Sequence, residues 1–210
     1  MTEQQAHEST DIAAIILAGG LSSRMGSDKA LLPFGDEMLL ERLIRVVNPL
    51  TDQIVVMLSQ MLELPEAFQQ KQPAVMIGRD REKEQGPMQG IADALEYLPD
   101  SVQYAFVLSC DLPFLTTEWL EFMLRSLKQS ARIDVVCAKQ DAYLNPLIAV
   151  YRKPILQQAN TLLQQGQRSC LALMDSCAVL PLVPTPQQAY KLSNINTPEE
   201  YQWALEHLEP

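Results

Sequence analysis

The sequence predicts an α/β protein built as one Rossmann-like, three-layer α/β/α domain on a mostly parallel sheet. Three observations predict it. The chain has a short, continuous apolar run, Ile12-Ala-Ala-Ile-Ile-Leu-Ala18, that ends in Gly19-Gly20. Further apolar runs alternate with segments of helical periodicity, as in a βαβ series with helices on both faces. No internal repeat, low-complexity segment or Pro/Gly/Ser linker divides the 210 residues.

The run Ile12–Ala18 is β-branched and apolar on both sides, which suits a parallel strand buried on both faces. After the glycine-bearing loop, Asp36 is placed to cap a helix through Asn48, with Leu39, Leu40, Leu43, Ile44 and Val47 on its inner face. Gln53–Leu58 reads as a second strand, and Ala74–Ile77 as a short third. Gly78 to Gln85 is charged and reads as a loop. Gly86-Pro87 then opens a helix with proline in its first turn and Met88, Ile91, Leu95 and Leu98 at helical spacing. Tyr104–Ser109 is a fourth strand, ending at Cys110-Asp111. Thr116 or Thr117 starts a helix carrying Leu120, Met123, Leu124 and Leu127. Ile133–Ala138 and Leu147–Tyr151 read as strands of a small antiparallel excursion turning around Asp141–Asn145. Pro181, Pro184 and Pro186 mark an irregular edge loop. Thr197-Pro-Glu-Glu200 is a capping box with proline at N1, opening a terminal helix. Residues 1–11 read as a flexible polar tail and residues 12–210 as a single domain.

Composition narrows the function. A chain of this length buries roughly 70% of the surface its unfolded form exposes, so its core needs no disulfide or zinc. Sixteen basic against 26 acidic residues give a net charge of −10, which argues against nucleic acid or an anionic membrane as partner. Any anionic substrate must then be held by a few local cations. Cys110, Cys137, Cys170 and Cys177 form no CxxC pair, so neither a zinc ribbon nor a redox motif fits, and reduced, mostly buried thiols of a cytoplasmic protein are expected. His7 and His207 lie close to the two ends, which speaks against histidine triads and histidine-rich metal sites. No run approaches the ~18 apolar residues of a membrane span. The polar, acidic stretch from Met1 to Asp11 does not read as a signal peptide.

In an open parallel sheet, ligands gather at the carboxyl ends of the strands. Leu17-Ala-Gly-Gly-Leu-Ser-Ser-Arg-Met-Gly-Ser-Asp-Lys29 follows the first strand. It fits neither the Walker pattern, since Ala30 follows Lys29, nor GxGxxG, since Gly19 and Gly20 are adjacent. Its small residues let backbone amides approach phosphates, and Arg24 and Lys29 supply positive charge. A plain glycine turn with two solvated cations has the same composition. Asp80 follows the third strand. Asp111, in Ser109-Cys-Asp-Leu-Pro-Phe114, follows the fourth; an aspartate there can hold Mg²⁺ between phosphate oxygens, or simply occupy a turn before Pro113. In Asn194-Ile-Asn196-Thr-Pro, alternation points both amides the same way, toward one ligand or metal; an Asx turn leading into the helix cap is the other reading.

Taken together, these segments resemble the molybdenum cofactor guanylyltransferases, within the nucleotidyltransferases that also include the molybdopterin cytidylyltransferases. The resemblance runs from about Ile12 to Glu200. It is carried by LAGG…SRMG.DK, by Gly86-Pro87 with Gly90, by CDLPF, and by NINTPEE. It implies transfer of GMP from GTP onto the terminal phosphate of molybdopterin (bare or molybdenum-bound), with Mg²⁺ as cofactor, pyrophosphate as product, and transient contact with the proteins that handle the cofactor. It also implies roles. Leu17, Ala18, Gly19, Gly20, Lys29 and Asp80 bind the nucleotide. Arg24 and Lys29 hold the triphosphate, and Lys29 stabilises the leaving pyrophosphate. Asp111 carries the metal, while Asn194, Asn196, Arg168 and Asn145 lie on the acceptor side. Asn145-Pro146 stands where many members have His-Pro. Leu-Ala-Gly-Gly favours guanine over cytosine, since the cytidylyltransferases tend to have Ala-Ala-Gly. The alternatives are cytidylyl transfer, transfer to another phosphorylated acceptor, and a non-catalytic nucleotide-binding protein. A dinucleotide-dependent oxidoreductase lacks its glycine fingerprint and its ribose-binding acid.

Overall fold

The computed structural model describes residues 11–19, 28–72, 74–80, 86–140 and 142–208. In chain order, β1 (Ile12–Ala18) leads to a 3₁₀ turn (Lys29–Leu31), a hairpin of β2 (Pro33–Phe34) and β3 (Glu37–Met38), and α1 (Leu39–Val47). Then come β4 (Ile54–Leu58), α2 (Glu66–Lys71), β5 (Met76–Arg79), α3 (Pro87–Ala94), β6 (Tyr104–Ser109) and α4 (Thr117–Lys128). The chain continues through β7 (Val135–Gln140), β8 (Tyr143–Arg152), the short helices α5 (Lys153–Leu156), α6 (Ala159–Gln164) and α7 (Ala172–Asp175), β9 (Val179–Leu182), α8 (Pro186–Ala189) and α9 (Pro198–Glu206).

Seven strands form one sheet in the order β5-β4-β1-β6-β8-β7-β9. β5, β4, β1 and β6 run parallel, and β8 alone is antiparallel, inserted between β6 and β7. The predicted antiparallel excursion is therefore a single strand. β1 is central: Ala13 pairs with Ala105 of β6, and Ala14 with Ile54 of β4. Period-two alternation divides its side chains between two cores. Ala14, Ile16 and Ala18 pack with Leu40, Leu43 and Ile44 of α1 and Leu120 and Met123 of α4. Ala13, Ile15 and Leu17 pack with Met88 and Ile91 of α3 and Ala159 of α6. An unbroken apolar run is what a strand covered on both faces requires. A third cluster joins Leu32, Phe34, Leu39, Phe114, Ile195 and Ala204, and so docks the hairpin and α9 onto the loop after β6.

Of the boundaries that differ from expectation, four have a clear local reason. Asp36 lies in the turn of the β2–β3 hairpin, made possible by Gly35 at φ +69°, and does not cap α1. The helix begins at Leu39, where Glu41 Oε2 accepts from Met38 N at 2.9 Å. The third strand is shifted to Met76–Arg79 because its register on β4 pairs Met57 with Gly78 and Leu58 with Arg79. Asn145 belongs to β8, so the hairpin turns earlier than predicted. Pro181 lies within the edge strand β9 and not in a loop; a proline is tolerated at an edge because no further strand needs its missing N–H.

Candidate functional site

The chain leaves β1 toward β4 on one side and later adds β6 on the other, so the connections after β1 and β6 diverge. A crevice opens at such a switch point. Lys29 comes to it from the β1 connection, and Asp111 stands just beyond the end of β6. Lys29 Nζ donates to Asp111 Oδ2 at 2.8 Å. It also donates to Asn196 Oδ1 at 2.9 Å. Asn194 Nδ2 donates to Asp111 Oδ1 at 2.6 Å and to Ser109 Oγ at 3.0 Å. Four side chains singled out from sequence thus form one connected network.

Local structure explains how the two asparagines reach it. Ile195 N donates to Asp111 O at 3.0 Å, and the Ile195 side chain is buried in the third cluster, so Asn194 and Asn196 turn to the opposite side. The capping box then anchors the segment. Glu200 Oε2 accepts from Asn196 N at 2.6 Å and from Thr197 N at 3.1 Å, while Thr197 Oγ1 accepts from Glu200 N at 3.2 Å.

A second group lies toward β5 and α3. An ideal Cβ on Gly90 would stand 3.0 Å from Leu17 Cδ2 and 3.3 Å from Asp80 Oδ1. One on Gly19 would stand 2.9 Å from Ser59 N and 3.3 Å from Asp80 Oδ2. The Asp80 carboxylate therefore sits between two glycines, where a methyl group would crowd it. Burial, with the negative charge of Asp93 adding to it, pushes its pKa up to about 6. Gly86 at φ +76° caps α3 and lies beside the Arg168 carbonyl.

Two predicted residues stand apart from the Lys29–Asp111 network. Asn145 Oδ1 accepts from Leu147 N at 3.0 Å, a local turn-type bond. Arg168 is exposed. Gly20 and Arg24 lie outside the described residues. Sequence reasoning passed over three further participants. Ser109 is two residues before Asp111, hence on the same side, which was the available signal. Glu200 was legible as a helix cap but not as the holder of the Asn196 backbone. Asp28 precedes Lys29, and burial raises its pKa.

The donor set suits a hard divalent cation. Among the described residues no three His, Cys, Asp or Glu side chains gather into a metal-binding group. Asp111 offers one carboxylate oriented by Asn194 and Lys29, and Mg²⁺ is commonly bound through one or two carboxylates completed by substrate phosphates and water. The four thiols are free, three of them buried, and burial raises the pKa of each. Among the described residues no helix is long and apolar enough to cross a membrane.

Fold and site together define a doubly wound α/β protein whose polar side chains converge at the switch point of a mainly parallel sheet, a nucleotide-handling class of architecture. Residues 14–178 match the MobA-like NTP transferase domain. Curated relatives include probable molybdenum cofactor guanylyltransferases of Bacillus mycoides and Bacillus cereus. Each is 32% identical over 199 residues, covering 93% of this chain and 96% of its own. The solved structure of molybdopterin-guanine dinucleotide biosynthesis protein A from Archaeoglobus fulgidus shares the fold, with a TM-score of 0.71 at 22% identity, covering 93% of this chain and 97% of that one. So does a 4-diphosphocytidyl-2C-methyl-D-erythritol synthase from Anaerococcus prevotii, with a TM-score of 0.71 at 14% identity over 95% of this chain and 96% of the other. The chain belongs to the MobA-like NTP transferase family.

Proposed function

We propose that this protein is a molybdenum cofactor guanylyltransferase, which transfers GMP from GTP to the terminal phosphate of molybdopterin, bare or molybdenum-bound, and releases pyrophosphate. The observation that carries the reading is the convergence of Lys29, Asp111, Asn194 and Asn196 at the switch point. Near-full-length similarity to proteins named for this activity supports it.

The chemistry needs no histidine. The nucleophile is a phosphate oxygen of the acceptor, already ionised at neutral pH, so no general base is required. A new bond forms between that oxygen and the α-phosphorus. The bond from the α-phosphorus to the bridging oxygen breaks, and its electron pair leaves with pyrophosphate. The protein's task is alignment and charge neutralisation. The backbone at Leu17, Ala18, Gly19 and Gly20 receives the nucleotide, with Asp80 at its far side. Lys29, with Arg24 from the same loop, meets the charge developing on the leaving group. Asp111 would hold Mg²⁺, which when bound supplies Lewis-acid polarisation of the phosphates. Asn194 keeps the Asp111 carboxylate in one orientation and Asn196 steadies Lys29; both asparagines serve the acceptor, with Asn145 and Arg168, which stand outside their hydrogen-bond network, as further acceptor contacts.

The test is pyrophosphate release with GTP or CTP in the presence of Mg²⁺ and molybdopterin. Release that depends on GTP and on the acceptor is expected, with Lys29→Ala and Asp111→Ala folded but inactive. Preference for CTP moves the protein to the sister cytidylyl transfer. Nucleotide binding without release overturns the proposal.

A further inference from the structure

We infer that the Lys29–Asp111 ion pair makes binding of a divalent cation conditional on the nucleotide: Lys29 occupies the Asp111 oxygen open to a metal, and a phosphate chain is needed to draw it away. This rests on reading the site as a metal-assisted nucleotidyl-transfer centre.

The two oxygens of Asp111 are not equivalent. Oδ1 accepts a 2.6 Å bond from Asn194, whose amide is fixed from a second side by Ser109 Oγ. Oδ2 accepts the Lys29 ammonium at 2.8 Å. The paired side chains are only 17% and 12% exposed, so solvent screens their interaction weakly. A divalent cation on Oδ2 must share that oxygen with an ammonium, and the two cations repel. Lys29 is also held from its other side by Asn196 Oδ1, itself anchored through Glu200 to the first turn of α9. The ammonium is therefore parked by two partners on two separate segments.

Lysine suits such a device. Its charge sits at the end of a flexible four-carbon stem and can move to a new anion without moving backbone. Phosphate oxygens offer that anion. Once they take the ammonium, Oδ2 carries an unneutralised charge and accepts the metal. Conversely, a metal on Asp111 frees the lysine for phosphate. Linkage requires the effect to be reciprocal: each ligand strengthens the other by the same factor. Bare protein takes up little metal, and the site fills with cation and nucleotide together.

The experiment uses the full chain with neither nucleotide nor acceptor, and Mn²⁺ as a paramagnetic probe whose free form is read by electron spin resonance. Wild type is expected to bind Mn²⁺ weakly. Lys29→Met and the milder Lys29→Gln should each bind it about 10-fold more tightly, within the range usual for coupled sites. The gain should disappear in Lys29→Gln/Asp111→Asn. Mn²⁺ should also raise the melting temperature of the Lys29 variants more than that of wild type, because a ligand of the native state stabilises it in proportion to its affinity. Lysine variants that bind Mn²⁺ no better than wild type overturn the inference, as does a gain that survives Asp111→Asn. Because no nucleotide is present, failure here leaves the GTP experiment untouched, and failure of that experiment leaves this result readable.

Discussion

Asp80 and Asp111 are both aspartates at strand ends, yet their surroundings give them different tasks. Asp111 is satisfied by an ammonium and an amide. Asp80 sits between Gly19 and Gly90 with the charge of Asp93 nearby, and its pKa rises to about 6. The sign of the consequence follows from linkage. With its native pKa above the ordinary carboxylate value of 3.8, Asp80 binds a proton more readily folded than unfolded. Its protonated form suits the fold at low pH, and that contribution is lost as pH rises from about 4 through about 6. Asp80→Asn should therefore stabilise the protein above pH 6 by about 1 kcal/mol, the full shift being discounted because the carboxyl is only half-buried. In a chain of this size that is a rise in melting temperature of roughly 2–4 °C. Melts of both proteins across pH check it: the gain should be present at pH 7.5 and vanish near pH 4.

At the scale of elements, α9 does more than close the chain. Its capping box holds the Asn196 backbone, Ile195 locks into the third cluster, and the two asparagines reach back to Lys29 and to the end of β6. Glu200→Ala removes the acceptor for two backbone N–H groups and should cost about 1 kcal/mol of stability. It should also lower kcat several-fold, in the manner of residues that orient metal and phosphate ligands. Glu199→Ala, on the exposed neighbour in the same turn, should change neither. Melting curves and steady-state kinetics on the two variants separate a cap that serves only the helix from one that serves the site. The hairpin β2–β3 was not legible because each strand has two residues, too few for any periodicity. Helices α5, α7 and α8 have four residues each, and no helical period shows in one turn. By contrast α4 and α9 were readable because Thr116 and Thr197 cap them locally.

For the molecule as a whole, the net charge of −10 opposes the approach of an anionic nucleotide to a site whose described cation, Lys29, is already paired. Long-range repulsion is screened over a Debye length of about 10 Å at 0.1 M salt, whereas contacts inside the crevice are screened less. Raising ionic strength from about 0.01 M to 0.1 M should modestly increase kcat/KM for the nucleotide. A steady decrease would show that the local field at Lys29 governs capture.

Read alone, the sequence determined the α/β class, the buried strand at Ile12–Ala18, the strand ending before Asp111 and the capped helix at Pro198, and it singled out Lys29, Asp111, Asn194 and Asn196 as candidates. Each of these is written in local patterns: unbroken apolar runs, helical spacing, or a capping box within four residues. Only the tertiary structure decided which atoms meet. Lys29, Asp111, Asn194 and Asn196 bond across sequence separations of 82, 167 and 83 residues, because strand order sets β6 beside β1 and the third cluster docks α9 and the segment before it onto the hairpin and the loop after β6. The raised pKa of Asp80 and the parked ammonium of Lys29 are likewise properties of burial and proximity. Local pattern encodes neither, since both arise from the packing of segments far apart in the chain.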